Sequence, residues 1–336
     1  MPRVAIIGLG LIGGSLALAM KKEGPKDLEI VGADTMRRAR KLAKKMGAID
    51  HEEGDARKAV QGAGLIVVAT PPGTLPEVFK DIASSLSSGA AVTDVASTKV
   101  MPMVWAREHL PADVSYVGSH PMAGKTDAGM ENAEAGLFKD RPWAIVPGEN
   151  ASEAAVSSVL GLAQMVGAKE HFMSAEEHDH YAAAISHLPI AISACLFTML
   201  RRSESWGDFG KMSGPAYRDL TRLISGDPEM NTDIMVSNRE QVQHWIDRFI
   251  LELSEFRTLL DGSDDDVFER FAYGQINHVR FLAGQDLELG IPNAEMPDSA
   301  TSMAHLMMGA KAYERLKGIT KAAEDRAAAP RRRRNS

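Results

Sequence analysis

The sequence predicts an α/β chain: a doubly wound sheet in the N-terminal half, followed by an all-helical second domain. Three observations carry that expectation. A β-branched run meets a glycine turn and then a helix at the very start, RVAIIGLGLIGGSLALAM. Short apolar runs then recur, with helical stretches between them, as in a parallel sheet covered by helices. Beyond Ser174 the alternation stops, and long, alanine-rich helical stretches take over.

The opening strand leads into Gly8, Gly10 and Gly13, spaced G-x-G-x-x-G, with Gly14 following. Between a strand and a helix this spacing marks a Rossmann-type pyrophosphate site. Gly8 permits the tight turn, and Gly10 lets the backbone approach the phosphates. Gly13 lets helix and strand pack closely. A second strand, LEIVGAD, ends at Asp34. An acid about twenty residues beyond the glycines binds the ribose 2′-hydroxyl and repels a 2′-phosphate, so NAD is the expected cofactor. Arg37 and Arg38 offset that repulsion, which leaves NADP open.

GLIVVAT (64–70) reads as a buried strand ending at Thr70, before Pro71-Pro72-Gly73. AAVTDVAS (90–97) ends at Ser97, and VSYVGS (114–119) delivers His120. Ligands bind at the carboxyl ends of such strands, so Thr70, Ser97 and His120 are candidates for one crevice. WAIVP (143–147) is a late strand and ASEAAVSSVLGLAQMVG (151–167) a helix. The dinucleotide-binding domain is expected over 1–172.

A helical substrate and dimerisation domain is expected over 173–285. Its first helix, SAEEHDHYAAAISHLPIAISACLFTMLRRS, should bend at Pro189, which cannot donate to the carbonyl of Ile185. Further helices are expected over about 213–225, 231–260 and 264–284. Residues 286–336 read as a partly disordered extension. Its Arg331–Arg334 run is either a contact for an acidic partner or simply solvated.

Composition excludes several classes. Hydrophobic residues make up 44% and charged residues 25%, as in soluble globular proteins. A net charge of −7 argues against nucleic acid and anionic membrane surfaces as partners. Cys195 is the single cysteine, so no internal disulfide forms, and a cytoplasmic location is expected. No apolar run reads as the ~20 residues of a membrane span. The N-terminus lacks a signal-peptide layout.

These motifs together resemble the prephenate/arogenate (cyclohexadienyl) dehydrogenase family of tyrosine biosynthesis. The matching pieces are GLGLIGGSLA, TDVASTK, GSHPMAGK, the HD and SHLP of EEHDHYAAAISHLP, and YRDLTRLISGDP. They stand in the family's order and cover about residues 3–285. One departure is Asn231, where many members carry tryptophan.

The resemblance implies an oxidative decarboxylation of arogenate or prephenate. Hydride leaves C4 of a cyclohexadienol for the nicotinamide, and CO2 leaves C1. By resemblance His120 accepts or shares the proton of the C4 hydroxyl, a role that suits imidazole at neutral pH. Gly118, Pro121 and Gly124 would fix the turn around it. Ser97 would bond the reacting hydroxyl or orient His120. Arg222 would bind a substrate carboxylate bidentately, and His187 would contact substrate at the helix bend. Glu177 sits where an acid accompanies arogenate use, and Ile190 replaces a histidine of some prephenate-preferring members. A homodimer through the helical domain is also implied.

Plainer roles stand beside these. Ser97 can N-cap a helix beginning near Thr98. His120 or His187 can simply bond the backbone. Ser174 and Glu177 form an S-x-x-E capping box, which would use Glu177 for the helix start. Lys99 either reaches a phosphate or the substrate, or is solvated. His178, His180 and His187 fit no metal-ligand spacing, so no metal is expected. Two other functions remain in view: an oxidoreductase of the β-hydroxyacid dehydrogenase type, which relies on a lysine in its second domain, and a non-catalytic NAD sensor.

Overall fold

Arg3–Ile7 form strand β1 because four consecutive apolar residues can be buried on both faces only inside a covered parallel sheet. The computed structural model describes residues 2–125 and 127–284, with Arg315 and Gly318. The Arg331–Arg334 run and most of the C-terminal extension lie outside the described residues. After β1 come α1 (Leu11–Glu23), β2 (Glu29–Ala33), α2 (Arg37–Lys45), β3 (His51–Glu53), α3 (Ala56–Ala59) and β4 (Leu65–Val68). Then follow α4 (Leu75–Ile82), β5 (Ala91–Asp94), α5 (Val100–His109), β6 (Ser115–Pro121), β7 (Pro142–Pro147), α6 (Glu153–Met165) and β8 (Lys169–Phe172).

The strands form one sheet of order β3-β2-β1-β4-β5-β6-β7-β8. All neighbours are parallel except β6 and β7. Two large buried clusters form most of the core, with a small third one of Val31, Ala33 and Ala59. One large cluster is built on Ile6, Leu16, Ile30, Phe138 and Trp143, the other on Ile7, Ile66, Phe79, Val92 and Tyr116. Because side chains alternate along a strand, Ile6 and Ile7 fall in different clusters. The order reverses between β1 and β4, which opens a crevice beyond their carboxyl ends.

Two strands escaped the sequence reading. All four residues of β8 are exposed, and none of the three residues of β3 is buried. Short charged edges of this kind carry no apolar alternation to read.

The second half is helical: α7 (Ala175–Ala182), α8 (Leu188–Arg201), α9 (Trp206–Met212), α10 (Pro215–Thr221), α11 (Pro228–Ser237), α12 (Arg239–Leu259) and α13 (Asp264–Leu282). The helix expected over 231–260 is two, broken at Asn238, whose backbone leaves the helical region. Its side-chain amide bonds other elements instead. The helix expected over 213–225 ends at Thr221 and tightens into a 3-10 turn, Arg222–Ser225. Between α7 and α8, residues Ala183–His187 form a π-helical turn. Pro189 lies in the first turn of α8, so the widened turn absorbs the hydrogen bond that proline cannot make.

By length and composition alone, Ala175–Arg201 could cross a membrane; its best window has mean hydropathy 1.8. This corrects the expectation that no run approaches a span. The stretch reads as broken in sequence because His178, Asp179 and His187 interrupt it, and all three are buried in the fold. By compactness the chain divides between Ile246 and Asp247, inside α12. Helices α7–α11 therefore belong to the same unit as the sheet.

Candidate active site

The glycine turn between β1 and α1 is a cradle. Gly8 has φ +94°, and a Cβ there would lie 2.4 Å from the Ala69 carbonyl oxygen. A Cβ on Gly13 would lie 1.9 Å from the Gly8 carbonyl oxygen. Both glycines are therefore demanded by the fold. Gly10 differs: a Cβ there would meet nothing within 4 Å. Among the described residues none lies within 4 Å of a Cβ built on Gly10, and no side chain caps α1. Its first N–H groups and positive dipole end are left for an anion, so the cradle fits a dinucleotide pyrophosphate.

Asp34 is half-buried beside this loop. Its carboxylate accepts Leu9 N–H at 2.8 Å and Met36 N–H at 2.7 Å, which fixes its orientation. Arg37 and Arg38 are exposed, and Arg38 lies 3.6 Å from Glu131. Thr70 follows β4. Its methyl would be 3.1 Å from a Gly8 Cβ, and its hydroxyl accepts from Thr74 at 2.9 Å.

His120 lies in β6, whose seven residues are all buried. This corrects the turn expected around it: Gly118 through Pro121 are strand. Gly118 has a different reason. A Cβ there would sit 2.9 Å from Lys99 Cδ, so the missing side chain makes room for Lys99. Lys99 is neither solvated nor at a phosphate. It is fully buried, with Nζ 2.5 Å from Asp94, which also accepts from the Tyr116 hydroxyl at 2.5 Å.

A relay runs from His120 into α7. His120 Nδ1 lies 2.9 Å from His178 Nε2, and His178 Nδ1 lies 2.8 Å from Asp179 Oδ1. Asp179 also accepts Lys99 N–H at 2.6 Å and Val100 N–H at 2.9 Å. It thus caps the N-terminus of α5 from a distant element, taking the role foreseen for Ser97. The bonds dictate the protons. A carboxylate only accepts, so His178 Nδ1 donates. Neutral His178 then accepts at Nε2, so His120 Nδ1 donates. That leaves the lone pair of His120 on Nε2, to which no described residue bonds.

Burial lowers the His120 pKa well below its usual ~6.5, and the charges of His178 and Lys99 lower it further. Burial also lowers His178, against the hydrogen bond that it donates to Asp179. His120 is therefore neutral, the form a base requires.

His187 is fully buried at the end of the π turn. Asn238 Nδ2 bonds the Asp179 carbonyl at 2.7 Å and His187 Nδ1 at 3.2 Å. Since that nitrogen donates, His187 Nδ1 accepts and Nε2 carries the proton. Nε2 is buried and makes no hydrogen bond of ordinary geometry, the main chain of Ser97 being the other group that interacts with the ring. Burial lowers the His187 pKa to about 4.

A histidine held below its unfolded pKa binds fewer protons folded than unfolded. Its stabilisation is complete above pH ~6.5 and is lost as pH falls toward about 4. Melting curves should therefore show Tm falling through that window. A flat Tm between pH 7 and 4 would contradict a buried neutral relay.

Ser97 is half-buried after β5, and its main chain faces His187, raising that pKa slightly. Arg222 is exposed at the start of its 3-10 turn and pairs with no described carboxylate. Ser193 of α8 holds this turn through Ile224 N–H at 3.1 Å. No described contact joins Arg222 to His120, Ser97 or His187. Glu177 is exposed, and the capping box with Ser174 is formed in both directions. The carboxylate it would offer a substrate is already bonded to Ser174 N–H at 2.9 Å. His180 has separate partners, Gln241 at 2.9 Å and the ring of Trp245.

The relay partners of His120 were missed in sequence. Asp179 adjoins His178 in the HD pair, which was a usable signal. Asp94 stood in the TDVASTK motif without its role being read, and Asn238 carried no signal, since it lies within an ordinary helical run.

A glycine cradle and a neutral histidine relay on one sheet define a dinucleotide-dependent oxidoreductase of Rossmann type. Two family models match: the prephenate dehydrogenase nucleotide-binding domain over residues 16–171, and the prephenate dehydrogenase dimerization domain over 174–272. The chain belongs to the prephenate dehydrogenase family. It is 32% identical to the prephenate dehydrogenase of Bacillus subtilis, over 86% of this chain and 76% of that protein. Identity to the cyclohexadienyl dehydrogenase of Zymomonas mobilis is also 32%, over 84% of this chain and 97% of that one. Among solved structures it is similar to prephenate dehydrogenase from Aquifex aeolicus in complex with hydroxyphenyl propionate and NAD+. That match has a TM-score of 0.77 and 27% identity, covering 84% of this chain and 98% of the other.

Proposed function

We propose that this protein oxidatively decarboxylates prephenate, arogenate or both, with NAD as hydride acceptor. One observation carries the reading: the Asp179–His178–His120 relay leaves a lone pair on His120 Nε2 in the strand beside the dinucleotide sheet. Bound NAD supplies a nicotinamide that takes hydride from substrate C4. Gly8, Gly10, Gly13 and the start of α1 would hold its pyrophosphate. Asp34 would meet the ribose, and Thr70 the neighbouring edge.

His120 Nε2 accepts the proton of the C4 hydroxyl as the C–H bond weakens. The C1 carboxylate then leaves as CO2, and its electron pair flows through the ring to the C4 oxygen. His120 returns the proton there, so the ring becomes a phenol with no net proton lost. Ser97 steadies the reacting hydroxyl. His187 Nε2–H donates to a substrate oxygen, and Arg222 binds a carboxylate. On this assignment Arg222→Lys should raise KM for substrate about tenfold with kcat changed much less, because a lysine loses the bidentate geometry. An unchanged KM would remove Arg222 from the site.

Glu177 keeps its substrate role only if it leaves the capping box, so the geometry favours the cap. Substrate preference is decided by assay. The purified protein is given arogenate and prephenate, each with NAD and with NADP, and the aromatic product is identified. Turnover with NAD supports the proposal, and no turnover of either substrate would sink it. We infer a homodimer through the helical half. The dimerization-domain match supports it, as do exposed apolar side chains such as Ile185 and Met199 on the α7–α8 stretch. Light scattering at the mass of one chain would refute it.

A further inference from the structure

Helix α11 and its C-cap carry three polar residues that reach other elements and that the chemistry above does not use directly. Asp233 and Ser237 are four apart and share one face, and Asn238 follows. Asp233 Oδ2 accepts Gly73 N–H at 2.9 Å, in the turn after β4. Ser237 Oγ lies 3.1 Å from Thr98 Oγ1, in the turn after β5. Asn238 holds the Asp179 carbonyl and His187 Nδ1. One helix thus grips two strand-end turns that frame the crevice and, at its far end, the buried imidazole.

Gly73 is shaped for this contact. A Cβ there would lie 2.6 Å from both Asp233 carboxylate oxygens. Its φ is not in the left-handed region, so space and not backbone conformation calls for glycine. The bond joins residues 160 apart in sequence, and it is solvent-exposed, so it adds little to overall stability. Its effect is on position. The turn it holds begins just after Thr70, which packs against the Gly8 loop of the cradle.

We propose that Asp233 is a positioning residue: through Gly73 it couples dinucleotide occupancy of the crevice to the placement of Asn238 and His187, and so to substrate affinity. This rests on the reading of His187 as a substrate contact. A dinucleotide lying against Gly8 and Thr70 orders the Pro71–Thr74 turn. That turn holds Asp233, and α11 carries the constraint to Asn238. Because coupling is reciprocal, substrate tightens the dinucleotide by the same factor.

The test is calorimetry with hydroxyphenyl propionate as the probe, with and without saturating NAD, on the full chain. In the wild type NAD should tighten the probe about tenfold, within the usual range of site-to-site coupling. Asp233→Ala removes the bond, and Gly73→Ala displaces the carboxylate without touching the rest of α11. Both should reduce the factor to about twofold or less. Asp233→Asn keeps an oxygen that can accept Gly73 N–H and should retain the coupling. A merely structural role would lower Tm and leave the factor unchanged in all three variants, which would overturn the proposal. Wild-type protein that binds both ligands without coupling would overturn the latch alone. Wild-type protein that binds NAD but not the probe would overturn the functional reading, and the latch with it.

Discussion

Replacing His120 by asparagine should lower kcat by about 10²–10⁴-fold while the dissociation constant for NAD changes less than about threefold. The range is what a positioned general base contributes. The separation of effects follows from structure. His120 sits in β6, whereas the cradle is built from the β1–α1 turn and the residues after β2 and β4. Asparagine keeps a donor for His178 and is smaller than histidine, so β6 can hold it. What it lacks is a basic nitrogen. NAD fluorescence titration and single-turnover kinetics on the same sample read the two effects separately. A loss below about fivefold would remove His120 from proton transfer and leave it a structural member of the strand.

Asp179→Asn should be nearly as damaging, though the residue need not touch substrate. All three partners of its carboxylate are donors: His178 Nδ1, Lys99 N and Val100 N. Oδ1 takes both His178 Nδ1 and Lys99 N–H and Oδ2 takes Val100 N–H, so an asparagine NH2 faces either Val100 alone or Lys99 and His178 together. Neither backbone donor can change, so one backbone bond is lost either way; with the NH2 toward His178, that ring can shift its proton from Nδ1 to Nε2. The relay then reverses: His178 Nε2 donates to His120 Nδ1, and the His120 proton moves to Nε2. The atom that had accepted the hydroxyl proton now carries one. A wrong tautomer behind a catalytic histidine costs about 10⁴ in the Ser-His-Asp proteases, so a loss of roughly 10²–10⁴ in kcat is expected here. Nitrogen chemical shifts of His120 should report the exchange of protonated nitrogens. A variant that loses kcat with the wild-type tautomer intact would show that Asp179 acts only as the α5 cap. Asp179→Ala would lose the cap as well, at a further cost of about 0.5–2 kcal/mol of stability.

The cradle was legible because its demands are local. Gly8 and Gly13 are dictated by atoms a few residues or one strand away, and Asp34 by the strand that follows. The capping box of Ser174 and Glu177 was legible for the same reason, since its bonds span three residues. The relay was only half legible. His120 stood out by its glycine and proline neighbours, but its partners lie 58 residues away and beyond. Lys99 shows the limit most sharply. A lysine in a turn reads as solvated or as reaching a phosphate or substrate, and only the fold reveals Asp94 beneath it and the Gly118 notch that admits its chain. Asn238 was hidden because a helix-to-helix break with no proline or glycine leaves no mark in composition.

The π turn at Ala183–His187 sets the register between the two ends of one long helical stretch. Such a turn is the trace of one residue more than a regular helix would hold. A shorter chain lacking one of those five residues would form a smoother helix and satisfy its backbone better. It would also rotate everything beyond the deletion by roughly 100° about the axis. His178 and Asp179 would keep their register with β6 and α5, while His187 would swing away from Asn238. The extra residue of the π turn thus keeps His187 on the side of the helix that faces Asn238, a register that regular helix geometry would not give.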